Sequence, residues 1–189
     1  MPASPETSFA GSGEPTELER LYDAHAPALF ALILNLTRSD ADTRDVLQAV
    51  FCRIATRPDL LAGVRNERAF LLRLAQNASL DWMRRRATRE KHHEAFSSHT
   101  SLFEPSAHPD EEAFRCALSE AMAELPAEQS AVVHLKLWED ATFEQIAEAL
   151  DISPNTAASR YRYALDKLRA RLRPLYDEIK NLWTTSSNS

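Results

Sequence analysis

Asn155, Thr156, Ser159, Arg160, Arg162 and Tyr163 bring amide, hydroxyl, guanidinium and phenol groups into nine consecutive positions. These groups reach base edges and phosphates: an arginine fork meets two acceptors at once, and short hydroxyls and amides take single bonds. At about 100° per residue, Ala157, Tyr161, Ala164, Leu165, Leu168 and Leu172 fall on one side of a helix. Asn155, Ser159, Arg162, Tyr163 and Asp166 fall on the other, flanked by Thr156 and Arg160. By the same count Arg73, Asn77, Leu80 and Arg84 share the outward face of an earlier helix, where guanidinium groups would neutralise phosphates. Asp45, Gln48 and Arg53 lie off an apolar stripe and are available to a partner. For each set the competing reading is an ordinary solvated helix face.

Other chemistries lack their residues. There is no activated nucleophile, phosphate-cradling glycine loop or paired carboxylate site, so the expectation is a protein without enzymatic activity or cofactor. His92, His93, His99 and His108 lack paired ligand spacing, and no metal site is expected from them. Cys52 and Cys116 are far apart and form no C-x-x-C pair, which excludes a disulfide framework and fits a reducing cytoplasm. No apolar run approaches the roughly 20 residues that span a bilayer, so no membrane insertion is expected.

Charge is distributed to suit several partners. The net charge of -6 argues against a histone-like binder. Yet Ser153 to Arg173 carries six Lys or Arg against one acid, while Phe114 to Leu150 carries two bases against seven acids. A basic strip beside an acidic block implies one nucleic-acid face and at least one other kind of face.

The elements that must position these residues are helical. Only three glycines occur, and Ala, Leu, Glu and Arg dominate, residues that lose little on entering a helix. Residues 1–16 have the composition of a disordered tail. A first block, residues 17–88, starts with Leu21, Leu29, Leu32, Ile33 and Leu36 at helical spacing, with Pro27 expected to bend the path or mark a helix start. Ser39 and Asp40 start a second helix carrying Val46, Leu47, Val50, Phe51 and Ile54, which ends before Pro58. Leu60 to Glu67 reads as a loop around Gly63, and a third helix from Arg68 buries Leu71, Leu74, Ala75, Ala78 and Trp82.

Residues 89–112 read as a linker. A second block, 113–174, holds helices near 113–124, 127–138, 142–150 and 154–173, followed by a tail at 175–189. Thr142 and Gln145 form a capping-box pair, and Ser153 with Pro154 is a strong helix start. The short turn at Asp151 and Ile152 between these last two helices is the length a helix-turn-helix needs. The fold class expected is all-α: two small helical domains joined by a flexible linker, the C-terminal one a helix-turn-helix.

The stretch LPAEQSAVVHLKLWEDATFEQIAEALDISPNTAASRYRYALDKLRARL, Leu125 to Leu172, resembles region four of sigma-70 family factors of the extracytoplasmic-function type. YDAHAPALFALILNLTRSDADTRDVLQAVFCRIATRP, with RAFLLRLAQNASLDWMRRR after it, is similar to region two. The resemblance implies a sigma factor that binds core RNA polymerase and directs promoter-specific initiation, without an enzymatic step of its own. It assigns Asp45, Gln48 and Phe51 to the clamp helices of the largest polymerase subunit, with Ala49 where an acid is common. It assigns Arg73, Asn77, Leu80 and Arg84 to the melted proximal promoter element. Val64, Arg65 and Asn66, in the loop from Gly63 to Glu67, would hold a flipped base, and the helix from Pro154 would read the distal element as duplex. Asp140 and Asp151 replace glycines common at two turns, and Asp tolerates the left-handed backbone better than most residues. Ala158 and Tyr163 stand where basic residues are frequent. The resemblance also admits an anti-sigma factor as a further partner. From the residues alone, a stand-alone helix-turn-helix regulator remains the alternative.

Overall fold

The computed structural model describes residues 16–90, 102 and 109–186, and every regular element among them is helical. The first block comprises α1 (Glu17–Thr37), α2 (Asp40–Thr56), a 3-10 turn (Pro58–Leu61) and α3 (Glu67–Glu90). The second comprises α4 (Pro109–Ala123), α5 (Ala127–Leu137), α6 (Phe143–Leu150) and α7 (Pro154–Ser186). The N-terminal tail to residue 15, most of the expected linker and its four histidines lie outside the described residues.

Local chemistry sets most helix starts. Thr16 and Glu19 form a capping box, each side chain accepting from the other's backbone N–H at 3.2 and 2.7 Å. Ser39 Oγ accepts from Asp42 N at 3.3 Å, and Ser153 Oγ from Thr156 N at 3.0 Å. Thr142 and Gln145 form the expected capping box of α6.

Two prolines lie inside helices. Pro27 lies inside α1, which neither bends into a new helix nor starts there, and Pro174 lies inside α7, which runs on to Ser186 instead of ending near 173. A helical proline orphans the carbonyl four residues earlier. Here those residues, Asp23 and Ala170, are exposed like the prolines themselves, so water can serve the orphaned carbonyls.

Leu21, Leu29, Leu32 and Ile33 of α1 interlock with Val46 and Val50 of α2 and Leu71 and Ala75 of α3, all fully or almost fully buried. A smaller cluster joins Ala121, Met122 and Leu125 to Val133, Ala164 and Leu168. Leu135, Ile146, Ala149 and Leu150 of the second block belong to the same apolar cluster as the first block, so the two blocks share a seam. At its polar edge Asn35 donates to Ser130 Oγ at 2.8 Å, and Arg38 donates to Ser119 O at 3.1 Å and to Asn35 Oδ1 at 3.3 Å. Arg38 closes α1 in the left-handed region (φ 57°), and burial lowers its pKa to about 10. His134, stacked on Trp138, is pushed down to about 4, first by burial and then by the Arg38 charge.

Candidate nucleic-acid interface

α6 and α7 meet as the turn chemistry demands. Asp151 closes α6 at φ 55°, Ile152 N donates to Ala147 O at 3.0 Å, and Asp140 opens the preceding turn at φ 46°. Aspartates therefore occupy both left-handed positions. Phe143 of α6 meets Tyr161 of α7 edge-on at 5.8 Å, while Ala157, Ala164 and Leu168 are buried beneath α7.

That packing turns the expected reader side outward. Asn155, Arg162 and Tyr163 are exposed, and Ser159 and Arg160 are half-buried. The Arg162 guanidinium lies 5.6 Å from the centre of the Tyr163 ring, which limits where its fork can point. Among the described residues neither Arg160 nor Arg162 forms an ion pair, so both charges face outward uncompensated. Thr156 differs: its hydroxyl is engaged with Ser153 Oγ at 2.8 Å and serves the helix cap.

On α3, Asn77 and Arg84 are exposed, Arg73 and Leu80 half-buried. Arg73 lies over the Phe70 ring at 5.8 Å, and Arg84 pairs with Asp81 at 3.0 Å, so phosphate would compete with an acid for Arg84 but not for Arg73. In the loop before α3, Gly63 adopts φ 78°, a conformation that suits glycine, and Arg65 is exposed while Val64 is half-buried. Asn66 Oδ1 accepts from Ala69 N at 3.1 Å, capping α3, and its Nδ2 donates to Glu148 of α6 at 3.0 Å. The loop is thus drawn against the second block.

Asp45 and Gln48 are exposed on α2, as expected for partner contact. Phe51 is not: it is buried, with its ring 4.9 Å from that of Tyr22, because it continues the apolar stripe of α2. It forms the floor of a mainly apolar groove with Leu18, Tyr22, Phe30, Leu47 and Gln48. Tyr22 and Phe30 carried no signal in the α2 pattern, since only the packing of α1 on α2 brings them there. Trp82 is half-buried against the core, in keeping with a packing role. Among the described residues no group of three or more His, Cys, Asp or Glu could hold a metal ion, and no helix is long and apolar enough to cross a membrane.

Comparisons with known proteins match two separate stretches of the chain. Residues 21–89 match the family described as Sigma-70 region 2, and residues 121–170 match Sigma-70, region 4. The chain is 32% identical over 172 residues to the ECF RNA polymerase sigma factor SigL of Mycobacterium tuberculosis, covering 89% of this chain and 96% of that one. It is 31% identical over 160 residues to the RNA polymerase sigma-E factor of Streptomyces antibioticus, covering 85% and 87%. Among solved structures, the sigma factor RpoE in complex with the anti-sigma factor NepR, from Bartonella quintana, superposes with a TM-score of 0.67 at 20% identity, over 84% of this chain and 98% of that one.

Proposed function

Because the chain belongs to the sigma-70 family, as a sigma factor of the extracytoplasmic-function type, we propose that its two blocks divide promoter reading between duplex and melted DNA. It binds core RNA polymerase and directs promoter-specific initiation, and the chemistry of RNA synthesis stays with the polymerase. The stand-alone regulator is set aside because region 2 is present as well as the helix-turn-helix.

The observation that carries the division is the outward face of α7, where Arg160 and Arg162 stand unpaired beside Asn155, Ser159 and Tyr163. An α-helix fits the major groove of duplex DNA, and arginine is the side chain best suited to bidentate base contact there. Thr156 supports this helix through its cap. The face of α3, with Arg73, Asn77, Leu80 and Arg84, and the loop residues Val64, Arg65 and Asn66 are suited to a separated strand, whose backbone they neutralise and whose base they hold.

Asp45 and Gln48, beside the groove floored by Phe51, form the docking surface for the clamp helices of the polymerase. The mixture is apt, since an apolar floor supplies area and the exposed polar pair fixes orientation. An anti-sigma factor is a further partner of this chain. The protein acts in the cytoplasm, where its polymerase is. Runoff transcription with purified core polymerase and this protein on a randomised promoter library tests the reading. Defined transcripts sharing a distal and a proximal element are expected, and no initiation above core enzyme alone would overturn it.

A further inference from the structure

We propose that Asp42 is a positioning residue for promoter opening: by holding Arg86 it orders the last two turns of α3 and so presents Arg84 and Arg85 to the separated strand. The inference rests on reading the face of α3 as the part that meets that strand.

α3 has 24 residues, about 36 Å of helix, and outruns the core beneath it. Its buried side chains run from Ala69 to Ser79, with Trp82 and Met83 half-buried after them. Beyond Met83, among the described residues, Arg84, Arg85, Ala87 and Thr88 are exposed and no apolar side chain is buried. Helix ends without packing fray, and a frayed end does not hold its charges in place. Arg86 is the exception there. Its guanidinium meets the Asp42 carboxylate at 2.5 Å, and the two side chains keep 30% and 19% of their exposure. Salt therefore screens this pair less than the open pairs of Arg84 with Asp81 and Arg44 with Asp40.

Asp42 is itself held. Its N–H donates to Ser39 Oγ at 3.3 Å, and the buried Thr43 beside it donates its N–H and its hydroxyl to Ser39 O at 2.9 and 2.7 Å. The carboxylate lies in the first turn of α2 and the guanidinium near the end of α3, where each helix dipole favours its charge. The pair thus joins α2, which carries Asp45 and Gln48, to the end of α3 over 44 residues of sequence. At that end Arg85 lines a cleft between α2 and α3 with Arg53, Asp81 and Trp82. Guanidinium groups on an ordered helix meet phosphates without the entropic cost of ordering it on binding.

The sign of the effect separates positioning from plain electrostatics. An acid near DNA repels it, so neutralising Asp42 would by charge alone strengthen strand binding and release Arg86 to phosphate. Positioning requires the reverse.

The test is Asp42→Asn in the full chain, read by hydrogen exchange of the free protein and by open-complex formation with core polymerase over a salt series. Exchange should quicken several-fold in the amides of residues 84–88 and stay as it was from Leu71 to Ser79. Open-complex formation should fall several-fold, with a flatter salt dependence, while affinity for core polymerase holds. Adding Asp42→Asn to Arg84→Ala with Arg85→Ala should cause no further loss, because Asp42 acts through those two residues. Asp42→Glu, which keeps the carboxylate, should keep the wild-type salt slope. Unchanged exchange in residues 84–88, improved open-complex formation, or an additive loss overturns the positioning role, and so does a loss of protection spread over all of α3. If Arg84→Ala with Arg85→Ala leaves open-complex formation and its salt slope as in the wild type, the reading of the α3 face fails instead, whatever the exchange of residues 84–88 shows.

Discussion

Asn35 and Ser130, 95 residues apart in sequence, meet side chain to side chain at 2.8 Å, and both are almost wholly buried. Asn35 also accepts from Arg38, so one amide ties the end of α1 to α5 and orients a buried cation. Asn35→Ala should destabilise the chain by about 1 to 3 kcal/mol, because it leaves buried donors and acceptors without partners. Ser130→Ala should cost less, since Ser130 O stays in place. A double-mutant cycle by denaturant unfolding should give a coupling of about 0.5 to 1.5 kcal/mol. Strict additivity would show that the contact holds nothing together.

His134 predicts the pH dependence of the same seam. Its folded pKa of about 4 lies below its ordinary value of 6.5, so its contribution is complete above pH 6.5, where both states are neutral. As pH falls from 6.5 towards 4, the unfolded chain takes up a proton that the folded chain refuses. Stability then drops by about 1.4 kcal/mol per pH unit. Glu17, Glu19 and Glu144, all with lowered pKa values, also lose stability towards acid, so the informative quantity is the difference from His134→Leu. The variant should lose less stability than the wild type between pH 6.5 and 4.5. Parallel curves in urea would remove the assignment.

The sequence disclosed the local devices and concealed the tertiary ones. Thr142 with Gln145, and Ser153 with Pro154, announced α6 and α7 because their hydrogen bonds span three residues. Pro27 misled because the effect of a proline depends on whether the orphaned carbonyl can reach water, which is set by packing. Phe51 read equally as stripe and as contact, and only its position against Tyr22 shows that it forms a groove floor. The seam could not be anticipated from periodicity: Asn35, Ser130 and His134 look like polar interruptions of apolar faces until the other block is placed over them. Asn66 was legible as a loop residue, but its bond to Glu148 was not.

The outward face of α3 predicts a salt effect. Replacing Arg73 and Arg84 with Ala should weaken open-complex formation and flatten its dependence on salt by about one slope unit per lost phosphate contact. Arg84 already has Asp81 at 3.0 Å, so its share should be the smaller. An unchanged slope in a salt titration of open-complex formation would remove the phosphate assignment.

For the polymerase contact, Gln48→Ala and Tyr22→Ala test the two parts of one groove. Gln48 is exposed and polar, and Tyr22 is half exposed beside Phe51. Each substitution should weaken binding to core polymerase, Tyr22→Ala by about 1 to 2 kcal/mol as a truncated aromatic anchor. Helical content measured by circular dichroism should remain. Full affinity in both variants would place the docking surface elsewhere.

The division of promoter reading is tested most directly by selecting active promoters from a randomised library with wild type and with Arg162→Ala, scoring the two elements separately. Arg162 is exposed on α7, far in sequence from the face of α3. If it makes a bidentate base contact, its loss should cost about 1 to 3 kcal/mol and relax preference at one or two positions of the distal element. Proximal preference should be unchanged. A uniform loss across all sequences would make Arg162 a phosphate contact, and an altered proximal preference would contradict the division itself.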